Sequence, residues 1–242
     1  MLIISKQASY NNMPAFGGIV SADKLMFGLR ATSPQNLVNL GRAGAITRHN
    51  IEFKNKGVQG GMGRSVKTSF DTNSAKDLTI RATAKAIGIG GSAKKCWVAG
   101  SLTATSGLGL FITALPNGSN YDYHVRFYCS ALGSTGRILR NAQATFATNT
   151  NLTDTPELHI WAKVNTQTKR LHIKVNNGTE TIYGFSSDDY EQRADTPWQV
   201  CDVAFFSPDC DSLVRELLVW NTILTPEQMA QQDTLSQKWL EK

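Results

Sequence analysis

The sequence predicts an all-β jelly-roll sandwich of two antiparallel sheets with a short C-terminal helix. Three observations carry that prediction. Short segments alternate apolar and polar residues with period two, as half-buried strands do. Asn, Gly and Pro cluster between those segments, where hairpin turns need them. The stretch 213–242 reads as a buried strand, an exit turn and one helix. In it, Leu217, Leu218, Val219 and Trp220 form an apolar, strand-prone run. Thr225, Pro226 and Gln228 then supply a capping box with Pro at the first helical position. Met229, Leu235, Trp239 and Leu240 give the helix a partial apolar stripe for a core edge.

In chain order, 2–4 reads as a first edge strand and 10–18 as a loop. Residues 25–29 read as a strand and 37–40 as a short strand or turn. Residues 51–53 read as a weak strand. The glycines at 57, 60, 61 and 63 tempt a phosphate-loop reading, but no G-K-[ST] and no βαβ context accompany them. Residues 56–64 therefore read as a Gly-rich turn. Segment 65–70 alternates. Segment 77–89 is the clearest early strand, with Leu78, Ile80, Ala82, Ala84 and Ala86 on one face and Thr79, Arg81, Thr83 and Lys85 on the other.

Strands follow at 96–102 and 107–115, then a turn at 116–120 and a strand at 121–129. The last two strands make a hairpin joined by an Asn117-Gly118 turn with extra residues. The Ser/Thr/Asn-rich 130–156 suggests only short strands, at 137–139 and 142–146. Segments 157–165, 170–177 and 179–185 read as a three-strand meander with good turn chemistry. Residues 186–198 read as a polar loop, and 200–206 as another strand. No linker or internal repeat divides the chain, so 1–242 reads as one domain.

The 242 residues are 41% hydrophobic, enough for a sizeable core. Net charge is +6, but the basic residues are scattered and no Lys/Arg run marks a nucleic-acid tail. The weak basicity is compatible with acidic glycans or anionic surfaces and demands neither. The apolar opening at 1–4 is too short for a signal peptide and lacks preceding positive charge. No stretch is long and apolar enough to insert in a membrane. The expectation is a chain made in the cytoplasm without Sec export. Action outside a cell would then follow lysis or specialised assembly.

Cys96, Cys129, Cys201 and Cys210 are spaced too widely for a dense disulfide scaffold. They read as free and buried, as one disulfide (Cys201 and Cys210 flank a bend), or, last, as metal ligands. His49, His124, His159 and His172 form no zinc-type spacing.

Three blocks carry a family resemblance. They are "LTIRATAKA" at 78–86, "LHIWAKVNTQTKRLHIKVNNGTE" at 158–180 and "VRELLVWNTILTPEQMAQQ" at 214–232. Together they resemble the concanavalin A-like lectin/glucanase superfamily, in its laminin-G-like form found in phage and prophage tail-associated proteins. The closing block is the most specific. The resemblance implies two stacked sheets, one concave. It also implies sugar binding on the concave face or rim loops, sometimes with calcium, and a place on a phage virion. Fold alone implies none of these functions.

Catalytic constellations are not legible. A retaining glycosidase needs two carboxylates about 5–5.5 Å apart. Asp188, Asp189, Glu191 and Asp195 fall in a loop-like segment instead, and no G-x-S-x-G elbow occurs. For calcium, Asp188, Asp189, Asp209 and Asp211 are candidates, with Asn117 and Asn120 weaker ones, but no EF-type spacing exists. For a glycan, Trp161, His159, His172, Arg126 and Tyr128 all lie on the polar parity of their strands and suggest an exposed polar–aromatic face. The bland alternative is that this face packs against a neighbouring subunit or that Trp161 is covered by a loop.

The expected function is a non-catalytic carbohydrate-binding or adhesion protein of a phage or prophage particle, meeting a glycan or cell-surface polysaccharide. A homo-oligomer would strengthen weak single sites. The alternative is a structural, self-associating particle protein contacting other particle proteins, and a glycoside hydrolase ranks behind both.

Overall fold

The computed structural model describes residues 18–31, 39–42, 45–70, 77–90, 94–102, 107–133, 136–184, 197–202 and 208–241, with the backbone alone over 130–133 and 136–138. The expected edge strand at 2–4 and the loop acids Asp188, Asp189, Glu191 and Asp195 lie outside these residues.

Among the described residues the strands form two antiparallel sheets, as an all-β jelly-roll sandwich requires. Sheet A has eight strands: β1 (Leu25–Arg30), β3 (Glu52–Lys54), β4 (Gly57–Gly60), β6 (Leu78–Ile87), β11 (Leu158–Asn165), β12 (Arg170–Val175), β13 (Thr181–Gly184) and β15 (Asp211–Trp220). Sheet B has seven: β2 (Ile46–His49), β5 (Ser65–Thr68), β7 (Lys94–Gly100), β8 (Leu108–Asn117), β9 (Asn120–Gly133), β10 (Gly136–Thr150) and β14 (Gln199–Val200). The helix α1 spans Pro226–Glu241.

The closing strand β15 is the axis of sheet A. One edge pairs along β6, while the other is shared by β4 and β1. A bulge at Val214/Glu216 changes which side chains face inward. Val214, Leu217 and Val219 all join the central core. Strict alternation from Val214 would have driven Glu216 into that core. The extra residue turns Glu216, Leu218 and Trp220 outward instead.

The two inner faces meet in one apolar core. Leu78, Ile80, Ala82, Ala84 and Ala86 of β6 enter it, as do Leu158, Ile160, Ala162 and Val164 of β11 and Tyr123, Val125, Phe127 and Cys129 of β9. Burying each Leu, Ile, Val or Phe contributes roughly 1.5–3 kcal/mol. The helix starts where its capping box predicts: Thr225 N donates to Gln228 Oε1 at 2.9 Å, and Gln228 N donates to Thr225 Oγ1 at 3.3 Å.

Several local expectations are corrected. Residues 57–60 are a strand, not a turn, because β15 and β3 both supply pairing partners. Glycine suits this place: a Cβ on Gly60 would stand 2.3 Å from the Arg64 carbonyl oxygen. Within the Ser/Thr/Asn-rich stretch, Gly136–Thr150 form one long strand, β10, because β9 pairs with it nearly throughout. The turn between β8 and β9 is a tight one, with Gly118 at φ 61° and Asn117 opposite Asn120. The strand expected at 200–206 is seen only as Gln199–Val200, and 203–207 lies outside the described residues. On β6, the polar-parity residues Thr79, Arg81 and Thr83 are buried rather than solvated. Helix α1 and the Thr222–Leu224 segment that leads into it are the reason.

Candidate functional site

Helix α1 lies against the outer face of sheet A through a mixed polar and apolar surface. Its buried residues are Gln232, Ser236, Trp239 and Leu240, of which only the last two belong to the expected apolar stripe. Beneath it sits Glu216, fully buried between two arginines. Arg30 Nε donates to Glu216 Oε1 at 2.8 Å, Ser236 Oγ donates to the same oxygen at 2.9 Å, and Arg81 pairs with Oε2. Arg81 Nε also donates to Asp233 Oδ1 at 3.0 Å, and Gln232 Nε2 donates to Ser236 Oγ at 2.9 Å. Gln232 Oε1 accepts from Val20 N at 2.9 Å, which ties in the segment before β1. Buried charges need such partners, since an unpaired one loses its hydration without return.

Trp161 is the aromatic part of this construction. It is 3% exposed, so it is not the open platform expected from its parity. Its indole N–H donates to both Asp233 oxygens at 3.0 and 3.1 Å. Its ring stacks on Trp220 at 6.1 Å between centroids, and the Arg81 guanidinium lies 5.7 Å from the ring centre. With Trp220 and Arg81 against its ring, Trp161 can offer a ligand little more than an edge.

Beside the C-terminal half of α1, a cleft of about 410 Å³ opens. Its walls include Trp161 and His159 of β11, the Asn176-Asn177 turn after β12, Arg215 of β15, and Asp233 and Gln237 of α1. Arg81, Glu157, Leu240 and Glu241 complete it. Arg215 bridges two of these elements: its Nη1 is 2.8 Å from Glu157 Oε2, and its Nη2 donates to the Leu240 carbonyl at 2.9 Å. Asn176 Oδ1 accepts from His159 N at 2.9 Å, which fixes the turn against β11. Burial, reinforced by the Arg81 charge, lowers the pKa of His159, so its ring is neutral in neutral water. The cleft thus presents two guanidiniums, three carboxylates, two asparagine amides and a neutral imidazole.

The five residues expected to share one face are divided. His159 and Trp161 line the cleft. His172 is on the same outer face but outside it, with Nδ1 3.2 Å from Glu180 Oε2, while Lys163 holds the other Glu180 oxygen at 2.6 Å. Arg126 and Tyr128 project from the outer face of sheet B, on the far side of the sandwich. There Arg126 Nε donates to Gln143 Oε1 at 2.7 Å, and Tyr128 stacks on Phe111 at 5.0 Å. Two layers back to back send outward residues in opposite directions, so shared parity cannot join them.

Sequence reasoning missed Arg215, Asp233 and Gln237 as wall residues. The Arg215-Glu216 pair inside an apolar strand was the available signal. Among the calcium candidates, Asp211 makes a two-oxygen contact to Arg64 and accepts from Gln59 Nε2, and Asp209 Oδ2 accepts from Lys95 N. Asn117 and Asn120 donate to Asp122 and Asn149. Among the described residues no three His, Cys, Asp or Glu side chains gather as a metal site.

This architecture is shared with botulinum neurotoxin receptor-binding domains. The C/D mosaic serotype domain matches with a TM-score of 0.65 at 12% identity, over 86% of this chain and 50% of that one. The serotype D ligand-binding domain solved in complex with N-acetylneuraminic acid matches with a TM-score of 0.61 at 12% identity, over the same shares. A type C structure, whose report ties cell entry to interaction with two ganglioside molecules, gives 0.62 at 11% identity, again over 86% and 50%. The chain spans about half the length of the toxin domains it matches. No family model and no curated protein sequence matches it.

Proposed function

We propose that the protein is a non-catalytic carbohydrate-binding module and that the cleft beside α1 receives a neutral sugar. The observation that carries this reading is the cleft lining: amides, guanidinium edges and carboxylates converge at one opening, with an indole edge in the wall. Hydroxyl-rich ligands are recognised by such closely spaced donors and acceptors. Three carboxylates against two guanidiniums, with a neutral imidazole, disfavour an anionic sugar. The sialic acid named for one toxin domain is therefore not carried over, although the shared fold supports a binding role. The closing-strand resemblance supports placing such a module in adhesion, on a phage or prophage particle.

The test is a glycan array followed by calorimetry on the retained sugar, using the wild-type chain and an Asn177→Ala/Gln237→Ala variant. Saturable binding to a neutral oligosaccharide is expected, weakened roughly tenfold or more in the variant, as lost hydrogen bonds of about 1 kcal/mol each imply. An array that retains nothing, or binding that the variant leaves intact, would remove this cleft as the site. Release of reducing sugar would replace the reading with an enzymatic one.

A further inference from the structure

The four cysteines lie outside the lining of the cleft. All four thiols are free. Cys96 lies on β7 of sheet B, and Cys210 immediately precedes β15 of sheet A. The chain binds these two places together reciprocally. Asp209 N donates to the Lys95 carbonyl at 2.8 Å, and Lys95 N donates to Asp209 Oδ2 at 3.0 Å. The Cys96 thiol points to the Asp211 carbonyl at 2.8 Å, and the Cys210 thiol points to the Lys95 carbonyl at 3.5 Å. Each sulfur thus reaches the carbonyl beside the other cysteine. Cys201, which sequence spacing offered as the partner of Cys210, turns instead toward the Val58 and Ser212 carbonyls, both at 3.7 Å.

We propose that Cys96 and Cys210 are a redox-active pair, which a small oxidised disulfide converts into an intramolecular disulfide that staples sheet B to sheet A. Cys210 is half-buried and Cys96 fully buried, so Cys210 reacts first. Its thiolate attacks one sulfur of the small disulfide. The other half leaves as a thiolate and takes a proton from water. The Cys96 thiol then gives its proton to solvent, and its sulfur attacks Cys210 Sγ, displacing the second half as a thiolate that solvent protonates. Two protein thiols and one small disulfide become one protein disulfide and two small thiols. The protein is oxidised by two electrons and the donor is reduced by two. Burial, with Cys210 beside it, raises the Cys96 pKa well above the ordinary thiol range, which makes the second step the slow one. The staple closes a long loop, from Cys96 to Cys210, and long loops restrict the unfolded chain most.

Incubation of the folded, full-length chain with oxidised glutathione, followed by intact mass and peptide mapping, tests this. The wild-type chain is expected to pass through a glutathione adduct at Cys210, then lose it and yield a Cys96–Cys210 linked peptide. Cys201→Ser should form the same link, and Cys96→Ser should stop at the adduct. The linked protein should melt higher by roughly 5–15 °C. A Cys201–Cys210 link, a wild-type adduct that never resolves, or no change in mass would overturn the proposal. The wild-type peptide map decides the matter alone should either variant fail to fold.

Discussion

The outer faces of the two sheets carry similar side chains and live in different surroundings. On sheet A, β6, β11 and β15 turn Arg81, Trp161 and Glu216 outward, and α1 covers them until Arg81, Trp161 and Glu216 are 2%, 3% and 0% exposed. On sheet B, β9 and β10 turn Arg126, Tyr128, Gln143 and Thr145 outward, and these remain half-buried or exposed, beside a smaller dry patch where Trp97, Phe111 and His124 are 0%, 3% and 6% exposed. The first face must satisfy every charge internally and does so with shared oxygens: Glu216 Oε1 accepts from Arg30 and Ser236 together. On the second face Arg126 pairs with Gln143 in the partly wet cross-strand manner of an ordinary sheet surface. Outward parity therefore fixes direction and leaves open whether the outside is water or another element. The cleft proposed to bind sugar sits at the border of the two conditions, where the helix that makes sheet A dry comes to its end.

The largest expected effect comes from breaking the dry face. Glu216→Ala leaves Arg30 and Arg81 facing each other across a cavity with their carboxylate gone. Losing one partner of a buried ion network costs about 3–5 kcal/mol. The matched change on the other face, Gln143→Ala, removes a half-exposed hydrogen bond of about 1 kcal/mol. Urea unfolding of both variants compares them directly. Equal losses would mean that α1 does not seal sheet A.

A smaller effect tests the roof from its start. Thr225→Ala removes one side of the capping box, and such caps contribute about 1 kcal/mol. Because α1 lies on sheet A, hydrogen exchange should quicken in α1 while β9 and β10 keep their protection. Uniform quickening in both sheets would show that the helix docks with the whole fold and not as a separable cover.

These contrasts also locate what could be read from the chain. Inward faces were legible because alternation alone selects them: Leu158, Ile160, Ala162 and Val164 all enter the core. The capping box was legible because its contacts are local. The burial of Trp161 was not, since it depends on Asp233, 72 positions away, and on a helix whose buried face uses Gln232 and Ser236 where an apolar stripe was expected. Nor was the outward turn of Glu216, because a single bulge resets the parity of β15 and nothing in "VRELLVW" announces it. Of the candidate site, His159 and Trp161 were legible as outward residues. The division of Arg126 and Tyr128 from them required knowing which strand belongs to which layer.

The smallest effect separates the faces by titration. His159 on sheet A and His124 on sheet B both have lowered pKa values, chiefly through burial and then through a neighbouring arginine, Arg81 and Arg126 respectively. With the folded histidines holding protons less readily, the unfolded chain protonates first as pH falls through about 6.5. Stability is intact above that value and declines below it, and carboxylates such as Glu180 extend the loss only from about 4.5 downward. Arg126→Gln should raise the His124 pKa, because a positive neighbour is removed, and leave His159 unchanged on the opposite layer. Imidazole resonances followed by NMR through the same pH range report each ring separately. Movement of both would show that the two faces communicate through the core, whereas movement of His124 alone keeps them electrostatically independent.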